Sequence, residues 1–223
     1  MHDLTIVFDL DGTLVETAPD LVRATNHVLG LAGVEPVDGA LLRSHISFGS
    51  RAMIEHAFHL RDRAPVEGEV DHLQRSFLAF YEANIANDSH CYPGLEQALS
   101  QLSARGGTLA VCTNKFERPS RELLTTLGLI DRFAAIAGRD TFPVCKPDPD
   151  HLRGAIRLAG GDPKRAVMIG DSDTDIKTAR AAGIPVIAVP FGYTDIPVYD
   201  LGPDAVIEHY RDLEAAIDRV RPR

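Results

Sequence analysis

The stretch "IVFDLDGTLVET", residues 6–17, decides the fold prediction because it ends an apolar run on two carboxylates. Residues 6–8 are Ile-Val-Phe, and such a run predicts a buried strand. Asp9 and Asp11 follow at once. Charged groups beside a core are unfavourable unless they are paired or bind a metal, and neighbouring carboxylates also repel each other. Open α/β sheets carry their sites at the carboxyl ends of strands, so this stretch predicts a functional site.

The rest of the chain alternates between strand and helix patterns, apart from one long helical block. Over residues 18–86 apolar positions recur every three or four residues, which predicts helices. The later predicted strands are 108–114, 133–138, 165–171, 185–192 and 204–209. Strands that alternate with helices predict a parallel sheet with right-handed crossovers. We therefore predict an α/β fold: a Rossmann-like, doubly wound parallel sheet core, residues 1–16 and 87–223, with an inserted all-helical cap domain, residues 17–86.

The helical block has predicted hinges at both ends, near residues 15–18 and 86–93. Thr17 is the expected helix cap, with Pro19 early in the helix and Asp20 in its first turn. A block inserted directly after the first strand can close over the site and exclude water.

Composition narrows the class of protein. The chain has 223 residues, of which 44% are hydrophobic and 25% charged, and this suits one domain with an insertion. Its net charge of −9 disfavours nucleic-acid binding. Three cysteines without a CxxC pair fit a reducing compartment, and neither a signal-peptide pattern nor a membrane-spanning run is visible. We expect a cytoplasmic monomer or homodimer that binds neither nucleic acid nor membrane.

Polar residues gather where the predicted strands end. They are Asp9, Asp11, Thr113, Asn114, Asp171, Ser172 and Asp175, with Lys146 shortly before the strand at 165–171. Parallel strands bring their carboxyl ends to one edge of the sheet. Clustered carboxylates suit Mg²⁺, whereas a lysine, a hydroxyl and an amide suit an anion. Together they predict phosphoryl transfer to a carboxylate nucleophile, with a second carboxyl group as acid and base.

In these motifs the chain resembles the haloacid dehalogenase superfamily of phosphatases. The motifs are "DLDGT" at 9–13, "TN" at 113–114, "KP" at 146–147 and "GDSDTD" at 170–175. The resemblance implies that Asp9 is the nucleophile and a Mg²⁺ ligand. It implies that Asp11 is the general acid and base, with its backbone carbonyl as a second ligand, and that Asp171 is the third.

The resemblance also implies roles for the residues around these aspartates. Lys146 is expected to pair with Asp9 and to offset charge on the phosphoryl group. Asp175 and Ser172 are expected behind the metal ligands, where Asp175 holds metal-bound water or Lys146. The expected substrate-binding residues of the core are Gly12, Thr13, Thr113 and Asn114.

Within the superfamily, the chain is most similar to the phosphoglycolate phosphatase branch. The similarity lies in "DLDGTLVETAPDL" at 9–21, "YPGLEQAL" at 92–99, "CTNK" at 112–115 and "FGY" at 191–193. It implies Mg²⁺-dependent hydrolysis of a small phosphorylated metabolite, first of all 2-phosphoglycolate to glycolate and phosphate. Alternatives are a β-phosphoglucomutase-type enzyme, a nucleotide or pyrophosphate phosphatase, or a non-catalytic phosphate-ligand sensor, although a sensor would usually lack Asp9 or Asp11.

One more expected site lies in the helical block, in "SHISFGSRAMIEHA" at 44–57. Here Gly49, Ser50 and Arg51 precede a predicted helix. A helix amino terminus and an arginine together favour an anion, so Arg51 is expected to bind a substrate carboxylate or a second phosphate. The alternative is that Arg51 is simply an exposed helix charge.

Overall fold

An all-parallel, six-stranded sheet forms the centre of the computed structural model, which describes residues 1–222. In chain order the strands are β1 (Thr5–Phe8), β2 (Val15–Glu16), β3 (His90–Cys91), β4 (Thr108–Cys112), β5 (Ala135–Ala137), β6 (Ala166–Gly170), β7 (Val186–Ala188) and β8 (Ala205–Val206). The sheet has the order β5-β4-β1-β6-β7-β8, and every adjacent pair is parallel. The chain builds outward from β1 in both directions, which confirms the predicted doubly wound α/β class.

Eight α-helices surround or extend this sheet within the described residues. They are α1 (Ala18–Leu31), α2 (Ser50–His59), α3 (Glu69–Ala83), α4 (Leu95–Ala104), α5 (Glu117–Thr126), α6 (Pro149–Leu158), α7 (Asp173–Ala182) and α8 (Leu213–Val220). None of these helices combines the length and the apolar character that crossing a bilayer requires.

The residues of β1 alternate between two apolar clusters, one on each face of the sheet. Ile6 and Phe8 pack in the cluster that contains the buried faces of α4, α5 and α8. Val7 packs in the cluster that contains the buried faces of α6 and α7. This period of two is the ordinary geometry of a strand covered on both faces. The strand is therefore fixed firmly, and the residues after Phe8 start from a rigid position.

Residues 17–86 lie between β2 and β3, and we call them the helical insert. They hold α1, α2 and α3 and have their own apolar cluster. A 3-10 turn, Arg43–Phe48, precedes α2. The two chain crossings to the core lie side by side, because β2 and β3 pair antiparallel, Val15 with Cys91 and Glu16 with His90. These pairs fall within the two predicted hinge regions. That the insert is a domain of its own remains a prediction.

A distant tyrosine, rather than the expected threonine, caps the start of α1. Thr17 occupies the cap position, but its hydroxyl makes no capping bond and has no hydrogen-bond partner among residues 1–222. Instead the Tyr193 hydroxyl accepts from the Thr17 N–H at 2.7 Å and the Ala18 N–H at 2.9 Å. It donates its own hydrogen to Glu16 Oε1 at 2.6 Å. These three bonds use the full capacity of one hydroxyl.

Replacing Tyr193 by phenylalanine is expected to lower the free energy of unfolding by about 1–3 kcal/mol, because it leaves the Thr17 N–H without its acceptor and Glu16 without that donor. Urea denaturation measures the change. Tyr199→Phe is the matched control, since Tyr199 is 55% exposed, and its effect should stay within about 0.5 kcal/mol. Equal losses in the two variants would contradict this role for Tyr193.

Candidate active site

The candidate site lies at the carboxyl edge of three neighbouring strands, β4, β1 and β6. Asp9 and Asp11 follow β1, Thr113 follows β4, and Asp171 follows β6. The Asp9 N–H donates to the Ile169 carbonyl and the Thr113 N–H to the Ala137 carbonyl, both at 2.9 Å. The parallel ladder thus continues to the residues that bear the functional side chains, as the sheet argument predicts.

Lys146, in the loop between β5 and α6, lies between two carboxylates. Its Nζ is 2.9 Å from Asp9 Oδ1 and 2.6 Å from Asp175 Oδ1, and its side chain is 2% exposed. Burial favours a neutral lysine, but the charges of Asp175 and Asp9 outweigh it and raise the pKa of Lys146. The lysine is therefore a fixed positive charge beside Asp9.

Asp171 is fully buried and is held by two neutral donors. Its Oδ1 accepts from the Thr13 hydroxyl and its Oδ2 from the Tyr193 N–H, each at 2.7 Å. Burial, followed by the charges of Asp175 and Asp9, raises the pKa of Asp171 well above its usual range. The backbone comes close here: a Cβ at Gly12, whose φ is +83°, would overlap the Asp171 carboxylate.

Asp175 is engaged on both of its oxygens. Oδ1 accepts from Lys146, while Oδ2 accepts from the Asp171 N–H at 3.2 Å, the Ser172 N–H at 3.1 Å and the Ser172 hydroxyl at 2.7 Å. This is the capping box at the start of α7. The arrangement places Asp175 and Ser172 behind Asp171, where they fix its backbone and Lys146.

Carboxylates outnumber lysines at this edge of the sheet. Asp9, Asp171 and Asp175 each offer an oxygen within 4.8 Å of the others. Burial, only partly offset by Lys146, raises the pKa of Asp9 to about 7. With Asp11, four carboxylates stand against two lysines, Lys146 and Lys115, which leaves two negative charges when all are ionised. A divalent cation with oxygen ligands fits this excess. Asp171 suits it better than Asp175, because each Asp171 oxygen accepts one hydrogen bond whereas Asp175 accepts four.

Sequence reasoning did not single out Lys115, which lies directly after Thr113 and Asn114. Its Nζ is 3.1 Å and 3.4 Å from the two oxygens of Asp11, and it lies 4.2 Å from the ring centroid of Tyr81 in α3. Both side chains of the ion pair are nearly buried. The signal that could have identified it was its position at the end of β4, which parallel topology brings beside β1.

Thr113 and Asn114 differ in what they can offer a ligand. The Thr113 hydroxyl accepts from the Lys115 N–H at 3.1 Å, and its own hydrogen remains available for a phosphoryl oxygen. The Asn114 side-chain amide donates to the Lys146 carbonyl at 3.0 Å and to the Ser47 carbonyl at 3.4 Å. Asn114 therefore ties the Lys146 loop to the helical insert.

A small cavity lies beside Asp11, between the core and the helical insert. Its volume is about 30 Å³. The core contributes Asp11, Asn114, Lys115, Phe116, Pro119 and Arg139, and the insert contributes Leu21, Ile46, Gly49, Ser50, Phe77, Leu78 and Tyr81. The insert side is thus mostly apolar, while the charged side chains all come from the core.

The structure does not bring Arg51 to this cavity, contrary to the sequence expectation. Gly49 and Ser50 line the cavity, but the Arg51 guanidinium pairs with Glu55 at 3.3 Å and with Asp71 of α3. Its side chain is 45% exposed. One residue along a helix turns the side chain by about 100°, and two carboxylates are available on the face that Arg51 reaches.

Comparisons with known proteins agree over nearly the whole chain. The family model described as "Haloacid dehalogenase-like hydrolase" matches residues 6–189. A "Phosphoglycolate phosphatase" of Mesorhizobium japonicum is 52% identical over 208 residues, which cover 93% of this chain and 92% of that protein. One of Agrobacterium fabrum is 47% identical, covering 95% and 91%. A crystal structure of a "predicted phosphoglycolate phosphatase" from Haemophilus somnus has a TM-score of 0.89 at 30% identity, covering 96% and 97%.

In buffer with EDTA, the stability of Asp171→Asn relative to wild type is expected to increase as the pH rises above about 4, the usual pKa of an aspartate. Because the fold raises the pKa of Asp171, it favours the protonated carboxyl, and ionisation at rising pH lowers the unfolding free energy of the wild type only. Thermal unfolding at a series of pH values measures the difference. A flat profile for Asp171→Asn would disprove the raised pKa.

Proposed function

The chain belongs to the haloacid dehalogenase-like hydrolase family, and we propose that, as a phosphatase of that family, it hydrolyses 2-phosphoglycolate to glycolate and phosphate with Mg²⁺ as cofactor. The comparisons confirm the family and the enzyme class, a phosphoric monoester hydrolase, that the motifs predict. The substrate proposal is carried by the 52% identity with a phosphoglycolate phosphatase over more than nine tenths of both chains. We also propose a cytoplasmic enzyme, in keeping with three cysteines that form no disulfide.

Asp9 is the proposed nucleophile because one of its oxygens is held and the other is available. Oδ1 accepts from the Leu10 N–H at 2.7 Å and from Lys146 at 2.9 Å. The second oxygen can attack phosphorus, which forms an aspartyl-phosphate and releases the alkoxide of glycolate. Water then attacks the same phosphorus, and this step frees phosphate and restores the carboxylate. Lys146 offsets negative charge on the phosphoryl oxygens in both steps.

Asp11 is the proposed general acid and base. It lies two residues after Asp9 and lines the cavity, next to the place from which an alkoxide would leave. A protonated Asp11 can give its hydrogen to the glycolate oxygen and can later accept one from the attacking water. The Thr113 hydroxyl, at the adjacent strand end, can donate to a phosphoryl oxygen.

The residues present fit a magnesium ion, which we propose Asp9, Asp171 and the backbone carbonyl of Asp11 hold. The support is the uncompensated charge of the buried carboxylates and their oxygen-only donor set. When bound, Mg²⁺ supplies positive charge to the phosphoryl oxygens. Thr13 and Tyr193 orient Asp171, and Asp175 fixes the loop behind it.

The size of the cavity favours a small substrate over the alternatives. A volume of about 30 Å³ is only about twice what a single water molecule needs. The cavity beside Asp11 therefore favours a two-carbon acid over a hexose ring or a nucleoside. The β-phosphoglucomutase-type and nucleotide phosphatase alternatives are therefore less favoured.

The test is phosphate release from a panel of esters with Mg²⁺ and with EDTA. The panel contains 2-phosphoglycolate, β-glucose 1-phosphate, nucleoside monophosphates and pyrophosphate. We expect 2-phosphoglycolate to give the highest kcat/KM and EDTA to abolish the activity, because the buried carboxylates then repel the phosphoryl group. A preference for another ester would replace the substrate proposal, and full activity in EDTA would refute the role of Mg²⁺.

Asp9→Asn is expected to lower kcat by at least about 1,000-fold, because an amide oxygen is a poor nucleophile. Phosphate release measures kcat, and circular dichroism checks that the variant folds. Asp131→Asn, an exposed aspartate far along the chain, provides the control and should keep wild-type activity. Normal turnover by Asp9→Asn would remove Asp9 from the nucleophile role.

A further inference from the structure

We propose that Lys115 and Arg139, with the Tyr81 hydroxyl, form a subsite that binds the carboxylate of the substrate. The subsite is the cavity beside Asp11. This inference rests on the proposed function and adds to it the residues that select an acidic phosphate ester. From the sequence, the substrate carboxylate is expected at Arg51 in the helical insert, whereas this proposal assigns it to residues that lie mainly in the core.

Arg139 is the first observation that points to an anion. It follows β5, lines the cavity and is half-buried, and its guanidinium has no ion-pair partner anywhere in residues 1–222. Its backbone N–H donates to the Lys115 carbonyl at 2.9 Å, so the two cationic residues are tied together. A half-buried arginine without a carboxylate has donors that a ligand can satisfy.

The absence of a side chain at Gly49 leaves room for the Arg139 guanidinium beneath the insert. A Cβ at this position would lie 3.1 Å from Arg139 Nη1, which is a tight contact. Gly49 also has a φ of +91°, a region that disfavours other residues. The start of α2 therefore lies directly on the guanidinium, and the arginine is confined between core and insert.

Tyr81 is the second, independent observation. Its side chain is 2% exposed, and its hydroxyl has no hydrogen-bond partner among the described residues although it lines the cavity. An unpaired buried hydroxyl is unfavourable by about 1–3 kcal/mol. A ligand that accepts a hydrogen bond in this cavity would remove that penalty, and a carboxylate oxygen is a strong acceptor.

The charges facing the cavity favour an anion over a neutral group. Of the residues that line it, only Asp11, Lys115 and Arg139 are charged. One carboxylate against two cations leaves one positive charge. Lys115 has three donors, of which Asp11 uses only part. A carboxylate in this place would balance the charge and share Lys115 with Asp11.

The cavity lies on the side of the site where the leaving group of the substrate is expected. Asp9 does not line the cavity, whereas Asp11 does. A phosphoryl group at Asp9 and Thr113 therefore directs the leaving oxygen toward Asp11 and the rest of the substrate into the cavity. The small volume of the cavity beside Asp11, about 30 Å³, favours the phosphate ester of a small hydroxy acid.

The experiment compares kcat/KM for 2-phosphoglycolate with that for ethyl phosphate, which has two carbons but no carboxylate. We expect Arg139→Gln to lower the ratio of the two values by about 10- to 100-fold, the effect of one lost hydrogen bond to a charged group. Tyr81→Phe keeps the ring below Lys115 and should lower the ratio by about two- to tenfold, as for a neutral donor. Arg121→Gln, at an exposed arginine of α5, is the matched control and should keep the wild-type ratio.

Each result has a defined meaning. Equal losses on both esters for Arg139→Gln would make Arg139 a structural residue and overturn the subsite. A wild type that hydrolyses ethyl phosphate as efficiently as 2-phosphoglycolate would overturn the subsite but keep the phosphatase. A wild type that hydrolyses neither ester would reject the proposed function, and the subsite with it. If Arg51→Gln lowers the ratio of the two kcat/KM values and Arg139→Gln does not, the carboxylate binds at the start of α2. That result would overturn our assignment.

Discussion

The crowding of carboxylates at the end of β1 is the constraint on which the rest of the site depends. Asp9, Asp171 and Asp175 are buried, and Lys146 contacts only two of them. Carboxylates in such surroundings repel each other and lose hydration, so ordinary packing does not select for them. The arrangement persists because the parallel sheet fixes the backbone of each aspartate and because Lys146, Thr13 and Ser172 satisfy part of their hydrogen-bonding capacity. The negative charge that remains when these carboxylates are ionised favours a cation at this edge of the sheet.

Tyr193 links this crowded edge to the hinge of the helical insert. Its backbone N–H holds Asp171, its hydroxyl holds the first turn of α1, and the Arg43 guanidinium lies 4.8 Å from its ring centroid. Arg43 also pairs with Glu16 at 2.9 Å, the residue that receives the tyrosine's hydrogen. One residue thus contacts the candidate metal ligand through its backbone, and the hinge and the insert through its side chain. A rotation of α1 about Thr17 would act on a residue that also orients Asp171, so hinge geometry and site geometry are mechanically connected.

The parts of this structure that sequence could predict are those with a local or periodic signature. Short apolar runs that alternate with helical patterns predicted the strands, and parallel topology then predicted that Asp9, Thr113 and Asp171 lie close together. The features that the sequence did not predict depend on contacts between segments that are distant along the chain. The Thr17 position was recognised, but its cap comes from Tyr193, 176 residues away. Arg51 was chosen for its place at a helix start, yet Asp71, on another helix, draws it away. Lys115 ends the "CTNK" stretch, but no role was assigned to it, and Arg139 lies in no motif. The cavity shows that the two residues face the same space.

The division of charge across the cavity suggests how the two parts of the chain share the selection of substrate. The core supplies every charged side chain of the cavity, and the insert supplies mainly Ile46, Phe77 and Tyr81. An apolar cover does not attract an anion, but it removes water from the cations beneath it, and a lower local dielectric strengthens their interaction with a bound carboxylate. In the proposed subsite, the same cover limits the volume and would disfavour larger esters. In this proposal the core recognises the charge of the substrate and the insert limits its size. The strength of the interaction with the carboxylate depends on how closely the insert covers Lys115 and Arg139.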